Sequence, residues 1–63
     1  MTDELLTTDE AADWLKLPAR QLVQLRYRGV GPAYTRLGRH VRYARSDLQR
    51  WIDAGRVEPQ GAA

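Results

Sequence analysis

Gly29-Val30-Gly31-Pro32-Ala33-Tyr34-Thr35-Arg36-Leu37-Gly38-Arg39-His40-Val41-Arg42-Tyr43 is the stretch that decides the fold. Val30-Gly31-Pro32 is a breaker cluster, and no helix crosses it. Beyond it the apolar spacing switches to a period of two, the signature of strands. With Gly38-Arg39-His40 as a three-residue hairpin loop, Thr35, Leu37, Val41 and Tyr43 share one face. Tyr34, Arg36 and Arg42 then lie on the other. A two-residue loop would pair Leu37 with His40 and set Arg36 beside Val41, which buries less apolar surface. The three-residue loop is therefore the expected one. An isolated hairpin is marginal in water, so residues 34–43 must pack against something else.

Upstream, Thr7-Thr8-Asp9-Glu10 has the spacing of a capping box, with Thr7 as N-cap and Glu10 three residues on. Asp9 and Glu10 also suit the positive end of a helix dipole. Leu6 can staple onto Ala11. Ala11, Trp14 and Leu15 form the apolar stripe of a helix that ends near Lys16. Pro18 suits the first turn of a second helix, where its missing N–H has no partner to lose. Leu22 and Leu25 face inward, and Gly29 closes that helix at its C′ position. The joint between the two helices is about two residues, which is the spacing of a helix-turn-helix.

Downstream, Ser46 and Gln49 have the spacing of a second capping box. Leu48, Trp51 and Ile52 supply the stripe of a third helix, and Gly55 ends it. Trp14 and Trp51 both belong to apolar stripes and are expected in the core. Tyr34 and Tyr43 fit core or cross-strand positions. The order helix, helix, hairpin, helix makes the chain mostly α with a short β-hairpin: a winged helix-turn-helix whose wing is residues 34–43. Residues 1–5 are expected as an N-terminal tail, 6–55 as the domain and 56–63 as a flexible C-terminal tail.

The chain has 63 residues, a net charge of +2 and no cysteine. One small domain is the limit at this length. Disulfides and thiolate metal sites are excluded, and a single histidine holds no metal alone. No cofactor is expected. No apolar run is long enough for a membrane span or a signal-peptide core, so a cytoplasmic protein without a membrane partner is expected. The charge is unevenly spread. Residues 1–15 hold five acids and no base; residues 16–45 hold eight bases, seven of them arginine, and no acid. A central block of arginine points to a polyanion, and arginine suits phosphate and guanine alike.

On a wheel with Leu22 and Leu25 inward, Arg20, Gln24 and Tyr27 are outermost on the second helix, flanked by Gln21, Val23 and Arg28. Arg20, Gln21 and Gln24, toward the N-terminal end, are the candidates for base edges in a major groove. Arg28 suits a phosphate. Arg26 falls about 40° from Leu22, toward the core edge. A charge there needs a partner or must snorkel, and Asp13 or Glu10 on the first helix could pair with it, so Arg26 is expected to be structural first. At the hairpin tip, Arg39 and His40 project, with Arg36 and Arg42 beside them. Such a wing suits a minor groove. No nucleophile or acid–base pair accompanies His40, so no catalytic residue and no enzyme is expected.

The run Leu25-Arg26-Tyr27-Arg28-Gly29-Val30-Gly31-Pro32, with Arg36-Leu37-Gly38-Arg39-His40-Val41-Arg42-Tyr43 and Ser46-Asp47-Leu48-Gln49-Arg50-Trp51, resembles small excisionase-like proteins. These are the AlpA-type, MerR-related winged helix-turn-helix domains of actinobacterial phages and integrative elements. Leu6-Thr7-Thr8-Asp9-Glu10-Ala11-Ala12 is similar to that family's first helix. The likeness covers residues 5–54. Two positions depart from it: Leu25 stands where tryptophan is frequent, and Lys16-Leu17-Pro18 where Gly-Val-Ser is common.

The resemblance implies a MerR-like DNA-binding domain with its second helix in the major groove and its wing in the minor groove. It implies an excisionase, a recombination directionality factor that bends attachment-site DNA and directs an integrase toward excision. The DNA-contact set it implies is Arg20, Gln21, Gln24, Arg28, Arg36, Arg39, His40 and Arg42. Double-stranded DNA is the expected partner, with a site-specific integrase and cooperative self-association along DNA, since one domain offers little contact area. The expected place is the cytoplasm of a bacterial host, on the nucleoid when bound. Two alternatives stay open: a small transcriptional regulator of the same fold, and a protein-interaction adaptor whose acidic first helix meets a basic partner. No long dimerisation helix follows Gly55, which favours monomers cooperating on DNA over a two-fold dimer.

Overall fold

The first helix starts at the expected cap. The Glu10 amide donates to the Thr7 hydroxyl at 3.1 Å, and the Thr7 amide donates to the Glu10 carboxylate at 2.9 Å. Two otherwise orphaned N–H groups are satisfied within one turn. The computed structural model describes residues 3–59, and the elements follow in order: β1 (Leu5–Leu6), α1 (Thr8–Leu15), α2 (Ala19–Tyr27), β2 (Thr35–Leu37), β3 (His40–Ala44) and α3 (Arg45–Ala54). This is a winged helix-turn-helix with a three-stranded antiparallel sheet of order β1-β3-β2.

The turn between α1 and α2 is Lys16-Leu17-Pro18. Lys16 takes a left-handed conformation (φ 60°), and the Leu17 amide reaches back to the Ala12 carbonyl at 2.9 Å. A side chain in that conformation costs about 1–2 kcal/mol, which a glycine would avoid. Pro18 sits one position before its expected place: it is the N-cap of α2, and its carbonyl accepts from Gln21. At the far end of α2, Gly29 (φ +73°) donates to the Arg26 carbonyl and Val30 to that of Leu25. These two bonds form a Schellman closure at the expected glycine. Gly31 (φ +90°) is needed twice over, because a Cβ there would stand 2.9 Å from the Leu25 Cβ.

The N-terminal tail expected over residues 1–5 is not a tail from Asp3 onward. Leu5 pairs with Ala44 and Leu6 with Tyr43, adding a strand to the side of β3 that the hairpin leaves open. The Glu4 carbonyl accepts the Arg45 amide at 3.0 Å. The Asp3 carboxylate accepts the Ser46 amide at 3.3 Å and the Ser46 hydroxyl. This contact replaces the expected Ser46–Gln49 capping box. The N-cap of α3 is Ala44, whose side chain has nothing to offer, and Gln49 bonds Asp53 instead. An aspartate more than forty residues away in the chain thus satisfies the start of α3. Of the expected C-terminal tail, residues 56–59 carry no regular structure and 60–63 lie outside the described residues.

The hairpin also differs from expectation. Thr35 pairs with Arg42, Arg36 with Val41 and Leu37 with His40, so the loop has two residues, Gly38 and Arg39. Gly38 has φ +62°, while Arg39 has an ordinary negative φ. A positive φ at the first central residue alone is the type II′ pattern, whose twist matches that of the strands. The one-residue change in loop length exchanges the faces of β2. Leu37 now lies beside His40 and is 48% exposed. Val41 and Tyr43 keep the inward face of β3. Nothing lies beneath the wing tip to reward an inward Leu37, so turn geometry wins over alternation.

The core is Leu6, Ala11, Ala12, Leu22, Tyr43 and Leu48, with Trp14, Leu15, Ala19, Leu25 and Val41 packed around it. Leu6 and Ala11 are both buried there, as the staple requires. Leu22 and Leu48 are fully buried, each contributing about 1.5–3 kcal/mol of transfer free energy. Trp14 packs at the core edge with the Arg45 guanidinium 5.3 Å above its ring. Trp51 is half-buried and Ile52 is 40% exposed, so only Leu48 of the expected α3 stripe reaches the core. The sheet is too narrow to cover a full helical face. Among the described residues, no helix is long and apolar enough to cross a membrane.

Candidate nucleic-acid interface

Helix α2 presents its polar face because its apolar one is taken. Leu22 is buried against α1, and Ala19 and Leu25 pack at the core margin. At 100° per residue, the opposite side carries Arg20, Gln24 and Tyr27, and all three are exposed. Gln21 and Arg28 flank this row and are exposed too. At 1.5 Å rise per residue, Arg20 to Tyr27 spans about 10 Å, roughly three base-pair steps. Tyr27 is 85% exposed. It was absent from the contact set expected from sequence, although the wheel already put it in one row with Arg20 and Gln24.

The wing supplies the second element. Arg36, Arg39 and His40 are exposed, with Arg39 at the loop and His40 opening β3. Arg36 and Arg42 were expected on one face of the ribbon. The observed register puts them on opposite faces: Arg36 lies beside Val41, and Arg42 beside Thr35. Arg42 is half-buried, and its guanidinium donates to the Val41 carbonyl at 2.8 Å. Its charge remains at the wing, but one donor edge is already used.

Arg26 is not paired with Glu10 or Asp13. Its guanidinium donates to the Tyr43 hydroxyl at 3.0 Å and stands 5.7 Å from the Tyr34 ring centre. The structural role expected for Arg26 holds, with tyrosines in place of carboxylates. Glu10 is engaged in the α1 cap, and Tyr34 and Tyr43 themselves pack with ring centres 6.0 Å apart. A half-buried cation accepts an aromatic face and a hydroxyl where no free carboxylate is near.

The arginines therefore fall into three groups. Arg45, Arg50 and Arg56 form ion pairs with Glu4, Asp47 and Glu58. Arg26 and Arg42 are held by a hydroxyl and a carbonyl. Arg20, Arg28, Arg36 and Arg39 have no ion-pair partner among the described residues; Arg20 lies on α2, Arg28 is its C-cap, and Arg36 and Arg39 lie on the wing. Unneutralised guanidiniums on two projecting elements create a positive field suited to a phosphate backbone.

No match is found among the curated proteins. A family model described as a helix-turn-helix domain matches residues 5–56. That family includes AlpA-like, excisionase-type DNA-binding proteins. The matched span runs through every element from β1 to α3, and the chain belongs to this helix-turn-helix domain family, whose fold supports DNA binding.

Proposed function

We infer that the protein is a sequence-specific, architectural DNA-binding protein acting as an excisionase. In this reading α2 enters a major groove and the wing reaches the adjacent minor groove. Arg20, Gln21 and Gln24 read base edges, while Arg28 and Arg36 hold phosphates. Arg39 and His40 enter the minor groove, and Arg42 adds charge at its rim. The protein performs no bond chemistry and needs no cofactor. It biases a site-specific integrase by shaping the attachment site, with several copies side by side in the bacterial cytoplasm.

The observation that carries the reading is the placement of the four unpaired arginines on the two elements this fold projects. Neutralising about four phosphates gives a log–log salt slope of about −3.6, a loss of roughly 150-fold between about 50 and 200 mM salt. The test is a gel-shift titration at several salt concentrations. Duplexes tiled around the gene and its nearest attachment site serve as probes, with scrambled DNA as competitor. A ladder of discrete shifts on an attachment arm supports the excisionase reading. A single shift at a promoter instead makes the protein a transcriptional regulator. No shift at low salt overturns DNA binding and leaves the adaptor.

A further inference from the structure

The two DNA-facing elements are joined by a cluster that neither uses for contact. Arg26 belongs to the last turn of α2, Tyr43 is the penultimate residue of β3, and Tyr34 immediately precedes β2. The Arg26 guanidinium bonds the Tyr43 hydroxyl at 3.0 Å and lies against the Tyr34 ring, and the two rings pack at a 53° tilt. Tyr43 is 1% exposed, so its hydroxyl is a fixed point. Helix α2 packs mainly on α1, and the hairpin packs on β1, α1 and α3. Leu22 of α2 and Tyr43 of β3 also share the apolar core, and this cluster adds a directional polar link between the helix and the wing.

We propose that Arg26 is a positioning residue that fixes the angle between α2 and the wing, so that both engage one stretch of DNA at once. The proposal rests on the DNA-binding reading above. The physical case is one of effective concentration. Two contact elements held at a matching angle bind as one, and the second contact is lost when the geometry forbids both together. Arginine suits the place. Its planar guanidinium donates within its own plane while its face meets an aromatic ring, which a lysine ammonium does not reproduce. The adjacent Tyr27 and Arg28 lie on the exposed face, so a rotation of this last turn would displace them together.

The test is a double-mutant cycle on a specific duplex. Tyr43→Phe keeps the buried ring and removes the hydroxyl; Arg26→Met keeps the stem and removes the donors. Arg39→Ala reports engagement of the wing. In the wild-type background Arg39→Ala is expected to weaken binding about tenfold, and in either variant background by less than about threefold. An equal penalty in all backgrounds overturns the proposal and leaves the cluster as packing alone. Residual dipolar couplings on the free protein read the same angle without DNA. A changed orientation of α2 against the hairpin in Tyr43→Phe and Arg26→Met supports it, and an unchanged one overturns it. If the wild type binds no DNA, the DNA-binding reading fails by itself, while the couplings still decide whether Arg26 sets the angle.

Discussion

The β1–α3 edge and the α2–wing face are both charged and both exposed, yet they are built in opposite ways. At the edge, Asp3 takes Ser46, Glu4 takes Arg45, and Asp47 takes Arg50. On the α2–wing face, Arg20, Arg28, Arg36 and Arg39 form no ion pair among the described residues. The acids lie instead on α1, on α3 and on the segments that flank them. Paired charges close a structure on itself; unpaired ones of a single sign leave work for a partner. The contrast separates residues that hold the domain together from residues available for DNA.

Substitutions on the two sides should separate in what they change. The largest effect is expected for Arg20→Ala. Loss of a bidentate base contact costs about 1–3 kcal/mol of discrimination, with thermal stability unchanged. Competition gel shifts with specific and scrambled duplex measure it; equal losses on both would make Arg20 a phosphate contact. Gln24→Ala should likewise alter preference among sites, by a similar or smaller amount. Arg39→Ala should weaken binding to all sequences about tenfold and reduce the salt slope by about 0.9. An unchanged slope removes the wing from the interface.

On the other side, Asp3→Ala removes a cap from α3 and should cost about 1 kcal/mol of stability, read from denaturant or thermal unfolding. Affinity per folded molecule should not move. Glu4→Gln should have the smallest effect, below about 1 kcal/mol, because the Arg45 pair is half exposed on both sides. A large effect of Glu4→Gln on DNA affinity would erase the division between the two regions.

Where the sequence was legible, the determining groups lie within a turn of one another. Thr7 and Glu10 close a box three residues apart, and Gly29 ends α2 because a left-handed residue is needed there. Leu22 and Leu48 follow from helical period. The row of Arg20, Gln24 and Tyr27 needs only that period and one buried leucine. The misreadings have a common cause. Ser46 and Gln49 have the spacing of a box, but Asp3 reaches Ser46 first and Gln49 turns to Asp53. An acid of α1 could pair with Arg26 by position on the wheel, but its guanidinium bonds the Tyr43 hydroxyl instead. Leu37 was turned inward by its alternation with Val41, though the wing tip has no neighbour to cover it.

The sequence by itself determined three helices, a hairpin between the second and third, and a basic block that falls on α2 and the wing. Each follows from local propensity, caps and the period of apolar residues, which act over a few positions. Only the tertiary structure decided that residues 3–6 complete the sheet and cap α3, and that the hairpin turns on two residues. It alone separated the arginines that brace the domain from those left free. Those outcomes depend on which groups meet across the fold, and a free carboxylate or hydroxyl at 3 Å outweighs a partner that is near only in the chain.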